Sequence, residues 1–121
     1  MPRTATRQAT PFDLGDEVGS QIASRFFRAL GDPTRLRLLS LLVDHEELTV
    51  SELVAAVEGM QGRISSHLAC LRWCGLVVDR REGRNVYYSV TDARIRKLLA
   101  VALPVIADNA THIATCHNIG D

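Results

Sequence analysis

Gln61-Gly62-Arg63-Ile64-Ser65-Ser66-His67-Leu68-Ala69-Cys70-Leu71-Arg72-Trp73-Cys74-Gly75 reads as one helix with two unlike faces. Ile64, Leu68 and Leu71 recur at i, i+4 and i+7, a single apolar stripe of a helix. Away from that stripe, the first two turns hold Gln61, Arg63, Ser65, Ser66 and His67, a concentration of hydrogen-bonding groups. A recognition helix has this form: it buries one side and meets base edges in the major groove with its N-terminal residues. Arg63 then suits a bidentate pair with guanine and Gln61 one with adenine. Ser65, Ser66 and the helix N-terminus suit phosphate oxygens. An ordinary amphipathic surface helix shares the pattern, so the flanking segments carry the decision.

Upstream, Thr49 or Ser51 can cap a short helix holding Leu53, Val54 and Val57, broken at Gly59. Short helix, glycine turn and second helix make a helix-turn-helix unit. Downstream, Leu76 to Arg81 and Asn85 to Val90 read as strands around Glu82-Gly83-Arg84, a tight hairpin. Arg80, Arg81 and Arg84 cluster at that hairpin, where they can reach the phosphate backbone or the minor groove. Tyr87 and Tyr88 alternate along the second strand, so one packs inward and the other faces out. Further out, Asp13 or Asp16 caps a first helix through Leu30, with Val18, Ile22, Phe26, Phe27 and Leu30 at helical spacing. Gly31 ends it, and Asp32 caps a second helix with Pro33 at its first position, carrying Leu36, Leu38, Leu39, Leu41 and Leu42. Thr91 or Asp92 caps a last helix from Ala93 to about Ala110. The expected class is mainly α with a β-hairpin wing, a winged helix-turn-helix.

The 121 residues suit one domain, and a chain this short often gains stability by dimerising. The expected organisation is a tail over residues 1–12, a DNA-binding and dimerisation domain over 13–110 and a C-terminal metal-binding tail over 111–121. No apolar run is long enough to span a bilayer, and residues 1–10 lack the apolar block of a secretory signal. The expected location is therefore the cytoplasm. Formal net charge is zero, but distribution matters more than the sum. Between Met60 and Arg84 five arginines face only Asp79 and Glu82, a local excess of three positive charges. There is no glycine-rich phosphate loop, nucleophile elbow or pair of catalytic carboxylates, so an enzyme is not expected.

Cys70, Cys74 and Cys116 are the only cysteines, an odd number that argues against a disulfide framework. Cys70 and Cys74 stand four apart on the recognition helix, hence on one face, where two thiolates can chelate one ion. Soft sulfur selects thiophilic metals. Core packing and thiol oxidation are the competing uses of such residues. His67 lies one turn before Cys70, and packing or a DNA contact suits it better than ligation. His45 falls in a polar loop, and Trp73 is expected to cover the core or a dimer seam.

Three blocks carry a family resemblance: ALGDPTRLRLLSLL (Ala29 to Leu42), ISSHLACLRWCGLV (Ile64 to Val77) and REGRNVYYSV (Arg81 to Val90). Together they resemble the ArsR/SmtB metal-sensing repressors over about Phe26 to Ala107. The resemblance implies a homodimer built by the first and last helices, bound to double-stranded operator DNA and weakened on it by metal. Cys70 and Cys74 match the cysteine pattern of the CmtR-like cadmium/lead sensors, with Cys116 as a third ligand from the same chain or its partner. Mercury regulators of the same family are a second resemblance. Cd(II), Pb(II) or Hg(II) is thus the expected effector, with As(III) third; His112 and His117 are candidate additional donors. Sites of other family members look absent: the third helix lacks cysteines, and Arg94 and Arg96 stand where a zinc or nickel site on the last helix needs donors. A thiol redox sensor and a metal-independent regulator of the same fold are the alternatives.

Overall fold

A computed structural model describes residues 12–119; most of the expected N-terminal tail lies outside them. Helix α1 spans Glu17–Leu30, α2 Pro33–Asp44, α3 Val50–Val57 and α4 Gln61–Trp73. Strand β1 is Leu48–Thr49, β2 Val78–Glu82 and β3 Asn85–Ser89. Helix α5 runs over Ala93–Asp108 and α6 over Ala110–Ala114. Local chemistry accounts for the boundaries. Asp16, not Asp13, caps α1 by accepting from Gly19 N at 3.1 Å. Asp32 caps α2 through Arg35 N at 3.0 Å, with Pro33 leading the helix. Thr49 caps α3 in a reciprocal capping box with Glu52.

The core lies where α2, α3 and α4 meet under the wing. Leu38, Leu39, Leu42, Leu53, Ile64, Leu68, Leu71 and Leu76 are fully buried there. The expected stripe of α4 is therefore the stripe that packs. The sheet order is β1-β3-β2, antiparallel throughout, with Arg80 opposite Tyr87 and Glu82 opposite Asn85. Gly83 takes φ +62° at the first position of the two-residue turn, which an L side chain resists. Tyr88 is buried in the core while Tyr87 lies half-buried on the other side, as the alternation requires. Arg96 donates to Val43 O and Val90 O, tying α5 to the end of α2 and the end of the wing.

Several elements depart from the sequence reading. Strand β1 was not foreseen: two residues carry no periodic signal, and Leu48-Thr49 pair with Tyr88 and Tyr87. Helix α3 ends at Val57, and the left-handed residue after it is Glu58 (φ 54°), so Gly59 is not its breaker. Strand β2 begins at Val78 because Leu76 and Val77 turn into the core instead. The last helix breaks at Asn109, whose side chain donates to Val105 O at 2.8 Å, and resumes as α6. Trp73 does not cover its own core: it is 90% exposed. Val18, Ile22 and Phe27 on α1, Leu36 on α2 and Val101, Leu103, Val105 and Ile106 on α5 are exposed too.

Gly75 closes α4 with φ +81°, a conformation that costs an L side chain roughly 1–2 kcal/mol. Gly75→Ala should lower the unfolding free energy by about 1 kcal/mol in urea denaturation, and Gly75→Asn by less. An unchanged Gly75→Ala midpoint would show that this turn does not constrain the end of α4.

Candidate functional site

Gln61, Arg63, Ser65 and Ser66 are all exposed on the N-terminal half of α4, opposite Ile64, Leu68 and Leu71. Met60 at the N-cap makes no side-chain bond to the helix, so the first-turn N–H groups present their partial positive charge outward. A polar groove of about 280 Å³ separates this end of α4 from the wing. Thr49, Ser51, Gln61, Ser65, Arg84 and Asn85 line it. Sequence reading gave Ser51 and Asn85 only structural roles, since only the folded chain brings the start of α3 and the wing turn beside α4.

His67 is held inward. Its Nδ1 lies 3.2 Å from Arg35 Nη1, and its Nε2 lies 3.9 Å from Asp32 Oδ2. The bond from Arg35 N holds the Asp32 carboxyl below the usual range; burial opposes this, and the charges of His67 and Arg35 assist. On the wing, Arg80 donates to both oxygens of Glu47, at 2.7 and 2.8 Å, and to Glu82 at 2.8 Å. Its guanidinium also stacks 4.4 Å over the Tyr87 ring. In the single chain Arg80 is thus paired with the carboxylates of Glu82, on its own wing, and of Glu47. Arg81 and Arg84 are exposed and enter no ion pair among the described residues.

Cys70 and Cys74 open into one cavity of about 240 Å³ between α1, α2 and α4, walled by Arg25, Arg28, Ala29 and Arg35. Both are half-buried and unbridged. Burial pushes the Cys74 thiol up, the neighbouring Cys70 adds to this, and Arg35 opposes it. Two sulfur donors on adjacent turns, facing one space, fit a thiophilic ion. Cys116 follows α6, is half-buried and does not line this cavity. Among the described residues, no three His, Cys, Asp or Glu side chains converge within the single chain. His112 and His117 are exposed beside Cys116. On α5, Arg94 pairs with Asp92 at 2.7 Å and Arg96 binds main-chain carbonyls.

Helix, turn, exposed polar helix and cationic hairpin together define a winged helix-turn-helix DNA-binding protein. Comparison with known proteins identifies which kind. Residues 32–78 match the model of the bacterial regulatory proteins of the arsR family. The chain is 45% identical over 96 residues to a probable mercury resistance operon repressor of Streptomyces lividans, covering 79% of this chain and 76% of that protein. It is 38% identical over 90 residues to the regulator CmtR of Mycobacterium tuberculosis, covering 74% and 75%. The solved homodimeric winged helix-turn-helix domain Mb0332 of Mycobacterium bovis superposes with a TM-score of 0.65 at 29% identity, covering 84% of this chain and 88% of that one. The chain belongs to the arsR family of transcriptional regulators and is not an enzyme. No helix among its described residues is long and apolar enough to cross a membrane.

Because the folded carboxyl of Asp32 sits below its ordinary value of 3.8, its charge supports the fold above that pH. That support is lost as pH falls through the lowered value. Asp32→Asn keeps a capping acceptor but removes the charge. Urea midpoints of the wild type should therefore fall more steeply below pH 4 than those of the variant. Parallel acid limbs would contradict the charge linkage among Asp32, His67 and Arg35.

Proposed function

We propose that this protein is a metal-responsive repressor that grips operator DNA as a homodimer and is released when a thiophilic heavy metal joins Cys70 and Cys74. One observation carries the reading: both thiols open into a single cavity on α4, the helix whose other exposed face holds Gln61, Arg63, Ser65 and Ser66. The similarity to a mercury resistance repressor and to CmtR supports it. The exposed apolar side chains of α1 and α5 support a second copy packing on that face, since contiguous apolar exposure marks an interaction surface.

On DNA, Gln61 and Arg63 read base edges. Ser65, Ser66, Arg81 and Arg84 hold phosphates, while Arg80 contributes less because a DNA contact must compete with Glu47. His67 acts through its ties to Arg35 and Asp32, setting the height of α4 above α2. A dimer must place its two recognition helices about 34 Å apart to match successive turns of the duplex. A metal bound between α4 and a restraining arm tilts or shifts that helix and spoils the match. Hg(II) is satisfied by the Cys70–Cys74 pair. Cd(II) and Pb(II) take the larger donor set that Cys116 completes from the C-terminal arm of either copy.

Fluorescence anisotropy of labelled operator, titrated with each metal, tests this directly. Hg(II) and Cd(II) should weaken operator affinity at least 5–150-fold, the usual span of allosteric coupling. Cys70→Ser and Cys74→Ser should bind operator but ignore both ions, whereas Cys116→Ser should lose the Cd(II) response and keep the Hg(II) response. Release by peroxide without any metal effect would replace the metal reading with a redox one. Unchanged metal responses in the Cys70 and Cys74 variants would refute it.

The DNA assignments separate by salt dependence. Arg81→Ala and Arg84→Ala should each weaken binding on all sequences and flatten the log K against log salt slope by about 1. Arg63→Ala should instead cost about 1–3 kcal/mol at one base position and relax specificity there. Arg80→Ala should change the slope less than either wing neighbour. A larger loss for Arg80 would mean that its ion pairs open on DNA.

A further inference from the structure

Three of the six residues that line the open cavity above the cysteine pair are arginines. Arg25, Arg28 and Arg35 wall it, and no carboxylate lines it. Arg35 is anchored: its Nε donates to Ala29 O at 2.7 Å, and its Nη2 lies 3.4 Å from Arg28 O. Arg25 and Arg28 are exposed on successive turns of α1 and enter no ion pair among the described residues. This is a peculiar wall for a site meant to take a bare cation, because three guanidiniums repel it. Nor does the chain as a whole attract anions, its formal net charge being zero. The positive charge beside the cysteines is local to the arginines that line this cavity.

A soft metal in a thiol-rich solution does not travel bare. It travels as a thiolate complex, and carboxylate-bearing thiols make that complex an anion. We infer that the Arg25–Arg28–Arg35 wall is a landing site for anionic metal–thiolate complexes, which it holds beside Cys70 and Cys74 while the metal changes hands. The inference rests on the metal-sensing reading above and adds the chemical form in which the effector arrives. For Hg(II) carried by two thiols, the Cys70 sulfur bonds to mercury, one carrier sulfur leaves, and the Cys70 proton goes to that leaving thiolate. Cys74 repeats the exchange and releases the second carrier as a thiol. No oxidant or reductant takes part. The guanidiniums bind the carrier carboxylates and never touch the metal.

Charge-matched carriers test this. Hg(II) is presented to the reduced full-length protein as its bis(N-acetylcysteine) complex, an anion, or as its bis(cysteamine) complex, a cation. Transfer is followed in a stopped-flow instrument by ultraviolet mercury–thiolate absorption and by quenching of Trp73, the single tryptophan, which adjoins Cys74. The carriers differ in thiol basicity, so the readout is the anion-to-cation rate ratio compared between proteins. That ratio should fall about tenfold or more in Arg25→Gln/Arg28→Gln at low ionic strength, within the range of electrostatic steering. It should be kept by Arg25→Lys/Arg28→Lys and shrink towards the variant's value in high salt. Equal ratios in the wild type and the Gln variant would overturn the landing site while leaving cysteine capture intact. No transfer from either carrier to the wild type would overturn the sensor reading and this inference together.

Discussion

Burial of Ile64, Leu68 and Leu71 against α2 and α3 fixes the rotation of α4, and the rotation fixes everything else that helix presents. With those three side chains in the core, a period of 3.6 residues turns Gln61, Arg63, Ser65 and Ser66 to solvent near the N-terminus. The same rotation turns Cys70 and Cys74 towards α1 and the N-terminal half of α2. A base-reading face and a thiol face are therefore two sectors of one rigid rod. No long relay between sites is required, because whatever restrains one sector moves the other. Packed interiors resist small rotations, so a shift of α4 must be accommodated at its ends, where Gly75 and the Glu58–Met60 turn sit.

Electrostatics divides the molecule in the same way. A chain with no net charge still leaves Arg81 and Arg84 on the wing and Arg25 and Arg28 at the cysteine cavity outside any ion pair among the described residues. Other arginines are matched within the chain: Arg72 with Asp79, Arg80 with Glu47 and Glu82, Arg94 with Asp92. The unmatched groups face the two anionic ligands the reading requires, phosphate on one side and a thiolate-borne metal on the other. Such exposed pairs contribute little stability, so their value lies in where they leave charge uncancelled.

How much of this the sequence disclosed depended on range. Local signals read correctly: the stripe of α4, the Asp32-Pro33 start of α2, the capping of α3 at Thr49 and the hairpin glycine all act within a few residues. Strand β1 was invisible because its partner lies some forty positions away and its length is two residues. The pairing of Arg80 with Glu47 was not legible because Glu47 lies 33 residues upstream. Periodicity found the apolar face of α1 but could not say what covers it; Val18 and Ile22 prove open in the single chain, as does Val101 on α5. For the candidate site, helical spacing sufficed to join Cys70 to Cys74. The arginine wall, assembled from α1 and α2, needed the tertiary fold.

The central claim, that sulfur on the groove-inserting helix captures a soft cation and thereby loosens DNA, is most directly examined by X-ray absorption at the mercury edge. The sample is protein that Hg(II) has displaced from operator. The account predicts nearest neighbours that are sulfur alone, with the sulfur count reduced in operator-free Cys70→Ser protein given the same Hg(II). A spectrum dominated by nitrogen or oxygen, or one identical in wild type and variant, would contradict it.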